Sequence, residues 1–242
     1  MRVLVTGGAK RLGAAIARAV AAAGHEVVIH YGRSRDAAEA LARELGGAAV
    51  GGDLGDVAAL PALFAASAAR GPVLGLVNSA SLFEEDRPEA IDPALAARLH
   101  AVNCVAPAML AAALAAQEGE GAVVNLLDQK LANPNPDYFS YSLSKYALAG
   151  ATTMMAQAFA PRVRVNAVAP GLTLKSGDQS DAEFDRVARL NLLERPVGAQ
   201  NVAAAVVYLL EAPSVTGQTL YVDSGQRFLK RDGDVMFEGR DG

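Results

Sequence analysis

The sequence has very little cysteine and no tryptophan. Cys104 is the only cysteine in 242 residues, which excludes an internal disulfide and indicates a reducing compartment. We interpret Cys104 as a small buried hydrophobe rather than a reactive group. Alanine and glycine are abundant while tryptophan is absent, a composition that favours close packing of helices against a sheet.

Long apolar runs and a strong charge of either sign are also missing. No stretch reaches the roughly 18 uninterrupted apolar residues of a membrane span. The N-terminal "MRVLVTGG" is no signal region, because glycines and "KR" follow at once. A net charge of −4 argues against general nucleic-acid binding. We therefore expect a soluble, cytoplasmic protein with no metal site.

Short strand-like runs alternate with longer alanine-rich helical stretches. Hydrophobic residues make up 52% and charged residues 20%, enough for a large core in a single domain spanning 1–242. Near-continuous apolar strands predict a parallel sheet covered by helices on both faces. The tail 226–242 lacks a clear pattern, and a frayed end is favoured over an arm reaching a neighbouring subunit. The strands are predicted at 2–6, 26–30, 48–52, 73–78, 122–127, 162–168 and 219–223, and the helices near 11–23, 35–45, 57–69, 92–117, 138–159, 181–194 and 198–211.

The first strand runs into a glycine-rich turn, "TGGAKRLG". Gly7, Gly8 and Gly13 let the backbone approach a ligand closely, and a helix N-terminus offers free N–H groups to an anion. Lys10 and Arg11 oppose the helix dipole, and a bound phosphate would reverse that cost. The turn predicts a dinucleotide phosphate site on the first β-α unit, with two solvated basic side chains as the alternative.

The second strand ends in "IHYGRSRDAAEA", with no acid at its tip. An acid is the usual partner of the NAD ribose 2′-hydroxyl. Arg33, Ser34 and Arg35 suit a 2′-phosphate instead, which predicts NADPH over NAD. The alternatives are ordinary solvation at a helix start for the arginines and a half-buried strand end for His30.

In "YSLSK", Tyr141 and Lys145 stand one helical turn apart. An ammonium about 4–6 Å away would lower the tyrosine pKa from its usual value near 10. Their position after the fifth strand, near the ligand-binding edge of the predicted sheet, favours a catalytic pair over a solvated helix face. Asp128 precedes the tyrosine by thirteen residues.

Over nearly its whole length the chain resembles the short-chain dehydrogenase/reductase family. The motifs "TGGAKRLG", "GDL", "VNSAS", "HAVN", "YSLSK", "VNAVAPG" and "TGQTLYVDSG" occur in the family's order and spacing. The resemblance implies an α/β doubly wound (Rossmann) parallel sheet of seven strands in the order 3-2-1-4-5-6-7. It also implies an NADP(H) cofactor, a small-molecule substrate and a homo-oligomer, dimer or tetramer.

The resemblance also implies roles for individual residues. Tyr141 would donate a proton, Lys145 would lower its pKa and bind the nicotinamide ribose, and Asn103 would hold a proton-relay water. Asp53 would lie by the adenine and Asn78 by the adenosine ribose. The implied cofactor site comprises Gly7, Lys10, Arg11, Leu12, Gly13, His30, Tyr31, Arg33, Ser34, Asp53, Leu54, Asn78, Ser79, Ala80, Tyr141 and Lys145, with Pro170, Gly171, Leu172 and Thr173 at the nicotinamide end.

Two departures from the family pattern resemble its pteridine reductase branch, which includes bacterial dihydromonapterin reductases. Arg11 replaces a glycine and Asp128 replaces the usual serine. In that branch the acid joins the tyrosine in protonating a reduced C=N bond, and the aromatic matched by Phe83 stacks on the pterin. Ser81 and Tyr141 complete the implied substrate site. An aspartate suits a heterocycle that presents amino and N–H donors, whereas a serine suits a carbonyl oxygen.

We therefore expect an NADPH-dependent reductase of a pteridine-like C=N bond. The alternatives are a general carbonyl reductase and a non-catalytic NADP-binding sensor or scaffold, which the intact Tyr141, Lys145 and Asn103 argue against. Asp128 could instead pair inertly with Lys130 or Arg11, and Phe83 could be plain core packing. By the resemblance, the segment 172–195 should lie over the substrate pocket.

Overall fold

The structure is a computed structural model that describes residues 1–175, 179–230 and 232–235. Seven strands form one sheet in the order β3-β2-β1-β4-β5-β6-β7, with parallel pairing throughout. This confirms the predicted fold class and strand order. The strands are β1 (Arg2–Val5), β2 (Glu26–Tyr31), β3 (Ala48–Gly51), β4 (Val73–Asn78), β5 (Gly121–Leu126), β6 (Val163–Pro170) and β7 (Thr219–Val222).

Helices cover both faces of the sheet, which is why its central strands are apolar at successive positions. Val3 and Val5 of β1 pack on one face, and Leu4 packs on the other. The helices are α1 (Arg11–Ala22), α2 (Arg35–Glu44), α3 (Leu60–Ser67), α4 (Pro93–His100), α5 (Ala106–Ala115), α6 (Phe139–Phe159), α7 (Asp181–Val187) and α8 (Ala199–Glu211). Helices α1 and α8 pack together on the first face, and α3 and α5 on the second.

Two predicted helices differ from the structure. The stretch 92–117 is interrupted by a π-helical turn, Ala101–Val105, between α4 and α5. The stretch 181–194 is helical only to Val187. It stops early because the amide of Asn191 bonds the carbonyls of Ala188 and Arg195, which competes with continued helix.

One helical stretch, Pro93–Ala115, is long and apolar enough to cross a membrane by length and composition alone. Within the fold it runs along the sheet, and Leu99, Leu110 and Leu114 are fully buried. The core helix of a soluble protein passes the same test of length and composition.

The C-terminal tail is not a frayed end in its described part. A 3₁₀ turn, Gln226–Phe228, follows β7, and the Asn133 amide donates to the Leu229 carbonyl at 2.7 Å. Beyond it the Asp234 N–H donates to Asp137 at 2.8 Å, and Val235 is buried. The frayed-end prediction is therefore wrong for 226–230 and 232–235, while its remaining residues lie outside the described part.

Candidate active site

The turn after β1 brings two glycine backbones into a contact that no other residue allows. A Cβ on Gly13 would lie 2.2 Å from the carbonyl oxygen of Gly7. Gly7 itself has φ +63°, a left-handed conformation that favours glycine. The N-terminus of α1 is thereby held against the end of β1, where its free N–H groups can receive an anion.

His30 secures this turn from the neighbouring strand. The Gly7 N–H donates to His30 Nδ1 at 3.2 Å, so Nε2 carries the hydrogen and donates to the Gly52 carbonyl at 3.1 Å. Burial lowers the His30 pKa and favours this neutral form. The half-buried alternative is wrong, because His30 is fully buried and links the ends of β1, β2 and β3.

A cavity of about 550 Å³, the nucleotide cavity, opens beside the glycine turn. Exposed Arg33 lines it, whereas Arg35 faces away and pairs with Glu39 at 2.7 Å. Asp53 also lines it, and its Oδ1 accepts the Gly55 N–H at 2.8 Å. The glycine cradle and a cation at the β2 end fit a dinucleotide that carries a 2′-phosphate. Of the predicted cofactor residues, the cavity gathers Gly7, His30, Arg33, Asp53, Leu54 and Ala80.

A second cavity of about 320 Å³, the catalytic pocket, lies at the carboxyl ends of β5 and β6. It brings together most of the remaining predicted residues: Arg11, Leu12, Ser79, Ser81, Phe83, Asp128, Tyr141, Lys145, Pro170, Gly171, Leu172 and Thr173. Sequence reasoning did not place Gln129, Lys130, Gln226, Asp234 or Val235 here, although all five line the pocket.

Asp128 and Tyr141 are in direct contact. The Tyr141 hydroxyl donates to Asp128 Oδ2 at 2.8 Å, and the Lys130 N–H donates to Oδ1 at 2.8 Å. The carboxylate is thus fixed at the start of a 3₁₀ turn, Gln129–Leu131, directly after β5. The inert pairing with Arg11 is not seen, because that guanidinium donates to the Lys175 carbonyl. Burial raises the Asp128 pKa, so the carboxyl can carry a proton closer to neutral pH.

The Tyr141 pKa is raised in this structure, whereas the sequence predicts that Lys145 lowers it. The Lys145 ammonium donates to the Leu126 carbonyl at 2.8 Å and lies 5.6 Å from the centre of the tyrosine ring. Burial, followed by the charge of Asp128, raises the Tyr141 pKa well above its usual value. Burial also lowers the pKa of Lys145 to about 8. The spacing of Tyr141 and Lys145 does not reveal this shift, because it shows neither the burial of the phenol nor its contact with the Asp128 carboxylate.

Asn103 lies in the π-helical turn with its side-chain amide fully used. Its oxygen accepts from the Leu82 N–H and the Ser81 hydroxyl, and its nitrogen donates to the Leu82 carbonyl and Ser144. A relay water would thus need the Asn103 backbone rather than its side chain. The residue fastens the 81–82 loop to α6, and its predicted relay role stays a prediction.

Asn78 lies apart from both cavities. Its buried amide donates to Asn125 Oδ1 at 2.8 Å, joining β4 to β5 beneath the sheet edge. Its contact with the adenosine ribose stays a prediction. Other predicted residues that line neither cavity are Lys10, Gly13, Tyr31, Ser34 and Asn103.

Phe83 is an exposed aromatic at the mouth of the catalytic pocket. The residue is 44% exposed, which contradicts plain core packing. It stacks on Tyr138 with centroids 4.0 Å apart and meets Tyr141 edge-on at 4.7 Å. Tyr138 thus supports the ring from one side.

The segment 172–195 is described on both sides of residues 176–178. Leu172, Thr173 and Leu174 line the catalytic pocket, as the resemblance implied for the start of this segment. Residues 176–178 lie outside the described residues. The helix α7 that follows begins with a reciprocal capping box between Ser180 and Glu183.

Known proteins resemble this chain over nearly its full length. A family described as enoyl-(acyl carrier protein) reductase matches residues 7–227. The crystal structure of FolM alternative dihydrofolate reductase 1 from Brucella canis, complexed with NADP, superposes with a TM-score of 0.90 at 42% identity, covering 96% of each chain. Pteridine reductase 1 of Leishmania tarentolae is 31% identical over 92% of this chain and 94% of its own length. L-xylulose reductase of Mesocricetus auratus is 33% identical over 93% and 95%. With the ordered motifs, the sheet and the Tyr141–Lys145 pair, these matches show that the chain belongs to the short-chain dehydrogenase/reductase family of oxidoreductases.

Proposed function

We propose that this enzyme is an NADPH-dependent reductase of a C=N bond in a pteridine-like heterocycle of the dihydropterin or dihydromonapterin type. The observation that carries the proposal is the 2.8 Å hydrogen bond between Tyr141 and Asp128, at the position where the family usually has a serine. A carbonyl reductase needs a donor for the growing negative charge on oxygen, and an ionised carboxylate there would oppose that charge.

The cofactor is NADP(H). The turn at Gly7 and Gly13 holds the α1 N-terminus against the end of β1, where its free N–H groups can receive the pyrophosphate, and Arg33 supplies a cation for the 2′-phosphate. A neighbour at 42% identity, the Brucella canis structure, holds NADP. When bound, NADPH supplies the hydride. We propose that Lys145, which lines the catalytic pocket, holds the nicotinamide ribose.

Tyr141 and Asp128 act together on the proton. Because burial and the neighbouring carboxylate raise the Tyr141 pKa well above its usual value, the hydroxyl keeps its proton until a basic ring nitrogen accepts it. Burial also raises the Asp128 pKa, so a protonated Asp128 can return a proton to the phenolate across the same hydrogen bond. The pair therefore delivers a proton to nitrogen, and Asp128 stands where the family usually has the serine that holds a carbonyl oxygen.

The walls of the pocket suit a flat ring. Phe83 is backed by Tyr138 and exposes the rest of its surface, so it can stack on a heterocycle. Arg11 and Ser81 line the same pocket and supply donors for substrate oxygen or cofactor phosphate. The pteridine reductase and FolM relatives support this substrate class. The L-xylulose reductase relative favours the second candidate, a general carbonyl reductase.

A comparison of wild type with Asp128→Ser tests the proposal. NADPH oxidation at 340 nm is measured with dihydropterins, folates, quinones and small ketones. We expect turnover of a dihydropterin by wild type and a loss of about 100-fold in Asp128→Ser, because the proton supply is removed. Ketone reduction should not fall in that variant, since serine restores a donor for the carbonyl oxygen.

Asp128→Asn is the matched control, because it keeps the side chain's shape while removing the proton that a carboxyl can carry. We expect it to lose dihydropterin turnover without gaining ketone turnover. Wild-type enzyme that reduces simple ketones and ignores every pterin would establish the carbonyl reductase instead.

We further propose a homo-oligomer, dimer or tetramer, in a cytoplasmic setting. Exposed apolar side chains lie along the outer surfaces of α5 and α6, among them Met109, Leu143, Tyr146 and Met154. Contact between copies would remove this area from water. Light scattering of the purified protein measures the assembly.

A further inference from the structure

The residue that precedes α6 does not cap the helix. Tyr138 stands at this position with φ +54°, a left-handed conformation that bulky side chains rarely adopt, and its side chain makes no capping hydrogen bond. Serine, threonine, aspartate and asparagine are the usual residues here, because their side chains accept a free N–H of the first turn. The position therefore holds a buried aromatic ring in place of a local cap.

Asp86 supplies the cap from a loop 54 positions earlier in the chain. Its Oδ1 accepts the Ser140 N–H at 2.8 Å, its Oδ2 accepts the Ser140 hydroxyl, and its carbonyl accepts the Phe139 N–H at 3.1 Å. Asp86 is buried, and the helix dipole favours a carboxylate at a helix N-terminus. An ion pair between Arg87 and Asp137 at 3.1 Å joins the same two segments. The loop is therefore fixed to the start of α6.

Phe83 lies between two anchors of this loop. Asn103 holds one end, because its side-chain amide accepts the Leu82 N–H at 2.8 Å and donates to the Leu82 carbonyl at 2.9 Å. Asp86 holds the other end, three residues after Phe83. The ring between them stacks on Tyr138 with centroids 4.0 Å apart. The two anchors thus determine where Phe83 stands at the mouth of the catalytic pocket.

We propose that Asp86 is a positioning residue for the substrate: by capping α6 from the loop, it holds Phe83 against Tyr138 in the place where the flat ring of the substrate stacks. This inference rests on the proposed function and extends it to a residue that does not itself line the pocket. The backbone of Tyr138 supports it, because strained conformations persist only where the surrounding contacts impose them, and they cluster at functional sites.

A positioning residue that acts through Phe83 has a measurable property. Removing it cannot weaken substrate binding further once Phe83 itself is gone. A cap with a purely structural role would lower the stability of the fold and would leave the affinity of the folded enzyme for a flat ring unchanged. A direct contact between Asp86 and the substrate would instead add its own loss to that of Phe83.

The test is a double-mutant cycle of Asp86→Ala and Phe83→Ala, in which pterin binding to the enzyme–NADP⁺ complex is followed by quenching of ligand fluorescence. We expect Phe83→Ala to weaken pterin binding about tenfold, because an aromatic stack is lost, and Asp86→Ala to weaken it by up to the same factor. The double variant should bind no more weakly than Phe83→Ala alone. With a dihydropterin substrate, KM should rise in Asp86→Ala more than kcat falls, and the KM for NADPH should not change.

Two further variants keep the test decisive even if Asp86→Ala fails to fold. Asp86→Asn retains an acceptor for the Ser140 N–H and a group that can bond the Ser140 hydroxyl, so it should bind pterin nearly as well as wild type. Ser140→Ala removes only the hydroxyl bond and keeps a good helix former. It should weaken pterin binding about threefold, and this loss should vanish in the Phe83→Ala background.

Asp92→Ala is the matched control. Asp92 is exposed and caps α4, where its carboxylate accepts the Ala94 N–H at 2.8 Å. Its removal should leave pterin binding unchanged. Dihydropterin turnover by wild type, with pterin binding that Ser140→Ala does not alter or that falls further in the double variants, would overturn the positioning role and leave the proposed function standing. Wild type that neither binds nor reduces any pterin would overturn both.

Discussion

The nucleotide cavity and the catalytic pocket are built from different kinds of group. The nucleotide cavity owes its form to backbone and glycine, and its buried titratable residue, His30, is held neutral by two hydrogen bonds. The catalytic pocket is lined by Asp128, Tyr141 and Lys145, whose pKa values are all shifted by burial. We propose that the first cavity binds its ligand through its shape and an exposed cation, and that the second transfers protons. Cofactor affinity and proton transfer should therefore respond to different substitutions.

Tyr141→Phe should give the largest difference between the effect on catalysis and the effect on cofactor binding. The variant removes the proton donor that we propose, so kcat/KM should fall by about 10²- to 10⁴-fold. NADPH affinity, measured by fluorescence titration, should stay within a few-fold of wild type. Tyr208→Phe, on the exposed surface of α8, is the control and should keep full activity. A Tyr141→Phe enzyme that retained a tenth of wild-type activity would rule out this assignment.

Lys145→Met tests the stability cost of the catalytic pocket. Without cofactor, burial lowers the Lys145 pKa from 10.5 to about 8. The unfolded chain therefore keeps its proton up to higher pH, and the charged lysine destabilises the fold at pH 7 by about 3 kcal/mol. Wild-type stability should recover as the pH rises from 8 to 10.5. Lys145→Met should thus unfold at higher urea concentration than wild type at pH 7, with the difference closing by pH 10.5.

The control for that prediction is Lys175→Met, because Lys175 is half exposed and pairs with Asp181 at the surface. It should show no comparable pH-dependent gain. Lys145 can also contribute to cofactor binding, since we propose that it binds the nicotinamide ribose. Weaker NADPH binding in Lys145→Met would show that one residue serves both functions, and a difference in stability that does not change with pH would contradict the burial argument.

The smallest effect is expected from Arg33→Ala, in the nucleotide cavity. Loss of one exposed, charge-assisted contact to the 2′-phosphate should raise the KM for NADPH about tenfold. The kinetics with NADH should not change, because NADH lacks that phosphate. Arg35→Ala is the control, since Arg35 pairs with Glu39 and faces away from the cavity. Equal effects on both cofactors would show that Arg33 does not read the 2′-phosphate.

The nucleotide cavity was largely predictable because its information is local. The turn "TGGAKRLG" and the arginine after β2 each act within a few residues of a strand end, and the apolar strands define the sheet. The Tyr141–Lys145 spacing is equally local, since it depends only on helix periodicity.

The catalytic pocket was predicted less completely. Lys130 and Asp234 meet across 104 positions, and the tail that carries Asp234 has no periodic pattern to reveal its path. The direction of the Tyr141 pKa shift was also missed, because it depends on burial and on the Asp128 contact rather than on spacing. The π-helical turn was not predicted, because its residues, "AVNCV", continue the composition of the flanking helices.

That turn, Ala101–Val105, sets the angular phase of the helix that follows it. An α-helix advances about 100° per residue, and a π turn accommodates about one extra residue in a single coil. Leu99 and Leu110, eleven residues apart, would point within about 20° of each other in an uninterrupted α-helix, so the extra residue turns them roughly 80° apart. Leu99 then packs against Tyr138 and Tyr141, Leu110 joins the core on the sheet, and Asn103 faces the 81–82 loop. In an uninterrupted α-helix the apolar stripe of α5 would be rotated by roughly a quarter turn from the sheet. The π-helical turn thus rotates α5 relative to α4, so that one helical segment contributes both to the core and to the site.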